Sequence, residues 1–366
     1  MSKSPPRTSE NPRILVVRND GMGDFILTLP LVAAIRSQLP GARITGLISR
    51  AMEGLLPLLA DFDDAIPDDG FLLKRHWRDR PKEEIRAGRE KLLEQIREKD
   101  FDMALVVYGE SASAALVHQA GIPVRIGSLR RSFFWRFNRF YRESRKGSTL
   151  PEFELNLGFL PLMGLNRAFH FPVLRALPPS PLDIPSKQYY VMHPYKRSGT
   201  ANSWPLENFA RLAQTMGKNR AEIVVVGDVE DEPVLHQHFG EMGHVRIITG
   251  NSLADLAAML GGASLFLGNS SGPLHLAALV GTPHIGFFPQ NRVSSPDRWR
   301  TLPSPGAPLD HRQYLLSPDF PRRCVRCSGP RCPYFNCLEA IDLDDLSAAF
   351  GVWGAEKVFK GEKATP

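Results

Sequence analysis

Two short polar clusters hold the residue types that could transfer a group between substrates. The first, Asn19, Asp20 and Asp24, lies within Arg13–Arg36 (RILVVRNDGMGDFILTLPLVAAIR); the second, Asn269, Ser270, Ser271 and His275, lies within Leu265–Phe288 (LFLGNSSGPLHLAALVGTPHIGFF). A carboxylate where a loop enters a helix can take a proton from a hydroxyl. The alternative for Asp24 is an ordinary first-turn carboxylate, favoured there by the helix dipole. Asp20 is closer to an ordinary loop carboxylate. The turn Ser270-Ser271-Gly272, opening a helix, offers free N–H groups and a positive dipole end to a diphosphate. His275, one turn in, could donate to a phosphate or a sugar, or pack in the core. Lys196 and Arg197 could add positive charge or form a solvated loop pair. Neither cluster is a GxGxxG fingerprint or a Walker loop, which disfavours common dinucleotide and P-loop chemistry. Two half-sites on two similar domains suggest an enzyme that joins two substrates.

The elements that must position these clusters alternate between strand and helix. Strand signals in the first half are Ile14–Arg18, Ile44–Ile48 and Met103–Tyr108, rich in aliphatic and β-branched residues. Pro81–Lys99 places Ile85, Leu92, Leu93 and Ile96 on one stripe of a surface helix. Five prolines within Pro172–Pro185 permit neither a helix nor a central strand, and mark an interdomain linker. Beyond it, strands are expected at Tyr189–His193, Ile223–Gly227, Val245–Thr249, Leu265–Leu267 and Pro283–Phe287. Helices are expected at Pro205–Met216, Leu253–Leu260 and Gly272–Val280, with Pro205 in a first turn and Ser252 as an N-cap. The alternation argues for parallel, doubly wound sheets.

The chain has 366 residues, 43% of them apolar and 23% charged, enough for two domains with ordinary globular composition. The N-terminus lacks the apolar stretch of a signal peptide, and no apolar run is long enough to span a bilayer. A cytoplasmic location is therefore expected. Six Arg and one Lys against one Glu between Leu129 and Lys146 account for the chain's net charge of +6. Within that patch, Ser132–Arg142 (SFFWRFNRFYR) spaces its aromatics as a basic amphipathic helix, with Arg136, Arg139 and Arg142 alongside. Such a helix suits an anionic bilayer or glycolipid; the alternative is a packed helix with solvated arginines. No nucleic-acid motif accompanies the patch. All four cysteines, Cys324, Cys327, Cys332 and Cys337, share one stretch, which suits a structural zinc, an Fe–S cluster or simply buried reduced thiols.

Taken together, Gly23-Asp24, Thr28-Leu29-Pro30, Arg125-Ile126-Gly127, Trp204-Pro205, Thr249-Gly250 through Leu253, Ser271-Gly272-Pro273-Leu274-His275 and Gly281-Thr282-Pro283 resemble glycosyltransferase family 9. This is the family of bacterial lipopolysaccharide heptosyltransferases, and the resemblance covers roughly residues 13 to 345. It implies an α/β GT-B fold, two Rossmann-like doubly wound domains facing a central cleft. The expected boundaries are a lead-in at 1–12, an acceptor domain at 13–175, a Pro-rich linker at 176–187, a donor domain at 188–350 and a tail at 351–366.

The resemblance also implies inverting transfer of a sugar, typically heptose from ADP-heptose, to an anionic glycolipid acceptor resembling the lipopolysaccharide core, with no catalytic metal or other cofactor. The enzyme would work in the cytoplasm or at the cytoplasmic face of the inner membrane. Asp24 falls at the family's base. Lys196, Arg197, Thr249, Gly250, Asn269, Ser270, Ser271, Gly272 and His275 fall on the donor side, with Gly23 and the three arginines on the acceptor or membrane side. Two positions depart from the pattern: Ser270 replaces a usual Asp, and Asn202 replaces a frequent Lys. They keep open a transferase with another donor, a non-catalytic nucleotide-sugar or sugar-binding protein, and an epimerase-like enzyme.

Overall fold

The structure is a computed structural model that describes residues 11–145, 148, 150–186, 188–195, 203–218, 222–289, 294–303, 312–316 and 337–341. The chain forms two compact units, one of residues 1–145 and 152–176, the other of residues 146–151 and 177–366.

The first unit carries six strands: β1 (Arg13–Arg18), β2 (Arg43–Ser49), β3 (Asp64–Asp68), β4 (Met103–Val106), β5 (Val124–Ser128) and β6 (Arg139–Tyr141). They form one sheet in the order β3-β2-β1-β4-β5-β6, and every neighbouring pair is parallel. Its helices are α1 (Met22–Ile26), α2 (Leu29–Gln38), α3 (Lys82–Glu98), α4 (Ser111–Gln119), α5 (Glu152–Leu157) and α6 (Leu160–Met163). The interior of β1, Ile14–Val17, is buried on both faces, as a central parallel strand covered by helices requires. On α3, Ile85, Leu92 and Ile96 are buried while Glu83, Glu84, Glu90, Lys91 and Glu94 are exposed.

The segment Ser132–Arg142 is not a helix. Phe134–Arg136 form a single 3-10 turn, and Arg139–Tyr141 pair with Ile126–Ser128 as the edge strand of the sheet. Tertiary packing overrides the helical spacing. Phe137 is buried with its ring against Gly127, where even a methyl group would lie 2.3 Å from Phe137 Cζ. Asn138 fixes the register by accepting from the Arg125 N–H at 2.8 Å and donating to the Pro123 carbonyl at 2.7 Å. The strand expected to reach Tyr108 ends at Val106. At the start of the proline-rich stretch, Val173–Arg175 pack along residues 58–60, through an antiparallel bridge between Leu59 and Leu174 and a bond from the Arg175 N–H to the Leu58 carbonyl.

The second unit repeats the plan with β7 (Tyr189–His193), β8 (Glu222–Gly227), β9 (Val245–Thr249), β10 (Leu265–Asn269), β11 (His284–Phe288) and β12 (Arg312–Leu316). The order is β12-β11-β10-β7-β8-β9, again parallel throughout. Its helices among the described residues are α7 (Leu206–Lys218), α8 (Glu232–Phe239), α9 (Leu253–Gly262), α10 (Gly272–Leu279) and α11 (Pro296–Trp299). Ser252 caps α9, accepting from the Asp255 N–H at 3.1 Å, whereas Pro205 stands just ahead of α7. Trp204 anchors the core, stacked on Phe287 at 4.3 Å with its indole N–H on the Ile341 carbonyl. Among the described residues, no helix is long and apolar enough to cross a membrane.

Candidate functional site

In each sheet the chain leaves in opposite directions from two adjacent central strands, β1 and β4 in the first and β7 and β10 in the second. Ligands of open parallel sheets bind beyond the carboxyl ends of strands at such switch points. Both polar clusters of the sequence lie there.

In the first unit, β1 ends on Arg18, whose side chain is only 2% exposed. Its Nε donates to Asp20 at 2.8 Å, Nη1 to Glu152 at 3.2 Å and Nη2 to Asp24. Arg145 also pairs with Glu152, and the Tyr108 ring lies 5.5 Å from the Arg18 guanidinium. Burial alone would lower the pKa of Arg18, but Asp20 and Asp24 override it and hold the group above an ordinary arginine. Burial raises Asp20, offset in part by Arg18 and reinforced by the neighbouring Asp24. Asp20 and Glu152 are enclosed, at 7% and 2% side-chain exposure, while Asp24 keeps 26%. Asp24 is thus the carboxylate of the three that a substrate hydroxyl can reach. Gly23 lies beside it on α1, and Asn19 ties β1 to β3 through Asp68 at 2.6 Å.

In the second unit, Ser271 precedes α10 in extended conformation. Pro273 carries no N–H, so Gly272 and Leu274 supply the first-turn donors that an anion could use. The Ser270 N–H is spent on the Phe287 carbonyl. The Ser271 hydroxyl lies 3.2 Å from Nδ1 of His193, at the end of β7. Burial pushes the His193 ring down to about 4, with Asp231 partly opposing, so the ring is neutral near pH 7 and Nδ1 can accept from Ser271. Thr249 donates to Glu232 at 3.1 Å. Gly250 turns with φ +70°, and a Cβ there would lie 2.7 Å from Val229; a glycine is required.

Several expected site residues serve the scaffold. Asn269 is buried, accepting from the Trp204 N–H at 2.7 Å and donating to the Pro194 carbonyl at 2.8 Å; it braces the turn instead of presenting its amide. His275 is buried on α10 at 3% exposure. Arg136 donates to the Ser111 carbonyl at 2.6 Å and Arg139 to the Leu162 carbonyl at 2.7 Å, so of the three arginines only Arg142 is exposed. Lys196, Arg197 and Asn202 lie outside the described residues, as do Cys324, Cys327 and Cys332; Cys337 begins a 3-10 turn, Cys337–Ala340. Among the described residues no cluster of His, Cys, Asp or Glu could hold a metal ion.

Arg18, Glu152 and Arg145 were not apparent in the sequence. An arginine closing an otherwise apolar central strand was the available signal for the first, because a charge there must be paired. Glu152 and Arg145 stand far from Arg18 along the chain and carry no local signature.

The family model for glycosyltransferase family 9 (heptosyltransferase) matches residues 89–328, and the chain belongs to that family. It is similar to lipopolysaccharide heptosyltransferase 1 of Escherichia coli O18:K1:H7, at 23% identity over 75% of this chain and 85% of the relative. Among solved structures it resembles a glycosyltransferase family 9 protein of Veillonella parvula, with TM-score 0.74, 18% identity and coverage of 95% and 100% of the two chains. It also resembles an E. coli heptosyltransferase solved with ADP, with TM-score 0.72, 17% identity and coverage of 93% and 99%. The two doubly wound units are those of the GT-B fold.

Proposed function

We propose that this glycosyltransferase moves a heptose from ADP-heptose to a hydroxyl of an acceptor resembling the lipopolysaccharide core, with inversion at the anomeric carbon. The observation that carries the reading is Asp24, a reachable carboxylate oriented by a buried arginine at the switch point of the first unit. The names of the relatives support the choice of heptose and acceptor, and the ADP-bound structure of a relative supports the nucleotide. In a single displacement, Asp24 takes the acceptor proton as its oxygen attacks the anomeric carbon, and the bond to the diphosphate breaks. In the second unit, the first-turn N–H groups of α10 suit the diphosphate of a nucleotide-sugar donor. No metal takes part in this scheme.

The acceptor is presented at the cytoplasmic face of the inner membrane. The surface offered to that membrane is the turn at Phe134 and Trp135, which are 42% and 59% exposed, in a segment that also carries exposed Arg131 and Arg142. An aromatic pair beside arginines suits an anionic headgroup layer.

Replacing Asp24 with Asn tests the chemistry. With ADP-heptose and a deacylated lipopolysaccharide core, ADP release should fall about 100- to 10,000-fold, the usual cost of losing a general base, while donor affinity holds. Turnover above a tenth of wild type refutes the assignment. A wild-type chain that binds ADP-heptose and never releases ADP is instead a nucleotide-sugar binding protein, the reading that Ser270 in place of the family's usual Asp favours.

A further inference from the structure

We propose that Arg18 is a positioning residue for Asp24, and that Glu152 and Arg145 hold Arg18 in that role; the inference rests on the reading of Asp24 as the base. Helix α1 has five residues and no side-chain cap at Gly21, so the helix itself does little to fix the Asp24 rotamer. Arg18 does, by donating Nη2 to Asp24 Oδ1. Oδ2 is left facing the space over Gly21, where a Cβ would come within 3.1 Å of it.

The grip on Asp24 closes into a ring of bonds. Its carboxylate holds Arg18, and Arg18 holds Glu152 at 3.2 Å. Glu152 holds Arg145, which donates to Asn156 Oδ1 at 2.8 Å and to the Val107 carbonyl at 3.1 Å. The Asn156 amide donates to the Leu27 carbonyl at 2.8 Å and to Thr28 Oγ1 at 3.2 Å. The Thr28 hydroxyl returns to the Asp24 carbonyl at 2.9 Å. Asp24 is therefore fixed at both its side chain and its backbone. Asp20 occupies the remaining face of Arg18, so no guanidinium donor on that side swings toward solvent.

A guanidinium is needed because its three nitrogens reach three carboxylates in one plane, which a lysine ammonium cannot do. Three carboxylates around one buried arginine would repel without a second cation, and Arg145 supplies it at Glu152.

The experiment measures kcat and KM for Arg18→Lys, Glu152→Gln, Asp24→Asn and the Arg18→Lys/Asp24→Asn double variant, with ADP-heptose and deacylated core. Arg18→Lys should lower kcat about 10- to 100-fold, the scale of an ångström-sized misplacement, with KM for ADP-heptose within about twofold. Glu152→Gln keeps an oxygen toward both arginines, so its loss in kcat should be smaller than that of Arg18→Lys. In the Asp24→Asn background, Arg18→Lys should cost no more than about twofold, since residues acting as one unit are not additive. Full additivity, or a loss confined to KM and melting temperature, overturns the proposal. An inactive Asp24→Asn beside a fully active Arg18→Lys removes Arg18 alone. An active Asp24→Asn removes the base, and the role of Arg18 with it. If Arg18→Lys does not fold, Glu152→Gln alone and on Asp24→Asn gives the same reading.

Discussion

Acid should destabilise the second unit through His193. The folded ring titrates near pH 4 because neighbouring protein atoms displace water from it, whereas an unfolded histidine titrates near 6.5. Between these values the unfolded chain binds a proton that the folded chain refuses, so stability falls as pH drops; above 6.5 the group contributes nothing. The shift corresponds to a loss of about 3 kcal/mol at the acid end and about 2 kcal/mol at pH 5. Protonation also turns Nδ1 into a donor, costing the acceptor that faces Ser271 at 3.2 Å. Other groups titrate in the same range, so the informative quantity is a difference between proteins. Urea unfolding of wild type and His193→Gln at pH 8 and pH 5 gives it, and the wild type should lose about 2 kcal/mol more than the variant over that interval. Equal losses would show that His193 titrates normally in the folded chain, and that a neutral ring is not what holds Ser271.

Asn269→Ala strands the Trp204 N–H and the Pro194 carbonyl, which should cost about 2–5 kcal/mol by the penalty for two buried unsatisfied groups. A variant that melts with wild type but fails to bind ADP would make Asn269 a ligand and not a brace. Trp135→Ser combined with Arg142→Gln should reduce co-sedimentation with phosphatidylglycerol vesicles at low salt, and the difference should shrink at high salt as exposed charges are screened within about 8 Å. Equal sedimentation of the two proteins would remove this turn from the membrane surface.

Most strands and helices were legible because they are long, apolar and periodic. Tyr189–His193 was placed to the residue, and Arg13–Arg18 to within one. What failed was the segment whose pattern fits two structures. In Ser132–Arg142 the aromatics recur at a spacing that satisfies a helix face, and the strand emerges only because Phe137 packs on Gly127 and Asn138 bonds residues 123 and 125. Those partners are distant in sequence, and local periodicity does not weigh them. The same limit hid the surroundings of Asp24. Arg18 stands six residues before Asp24, yet nothing local in the sequence ties the two together, and Glu152 approaches from α5 and leaves no mark near Arg18. In the second unit, type and position leave two roles for Asn269: a polar residue in a ligand turn is also the residue best able to tie two backbone segments together, and its bonds to residues 194 and 204 show that it does the second.

The turn at Ser270 keeps its shape through bonds that do not involve the Ser270 side chain. Its backbone is fixed by the bond from its N–H to the Phe287 carbonyl, its neighbour Asn269 is locked onto residues 194 and 204, and Ser271 is held by His193. The turn is therefore shaped by residues on either side, and by main-chain bonds indifferent to the side chain at 270. That side chain is half-exposed, so neither a hydroxyl nor a carboxylate there has to be buried or paired. On the proposed reading, a serine where the family usually carries an aspartate alters what the turn presents to the donor. It does not alter whether the turn forms.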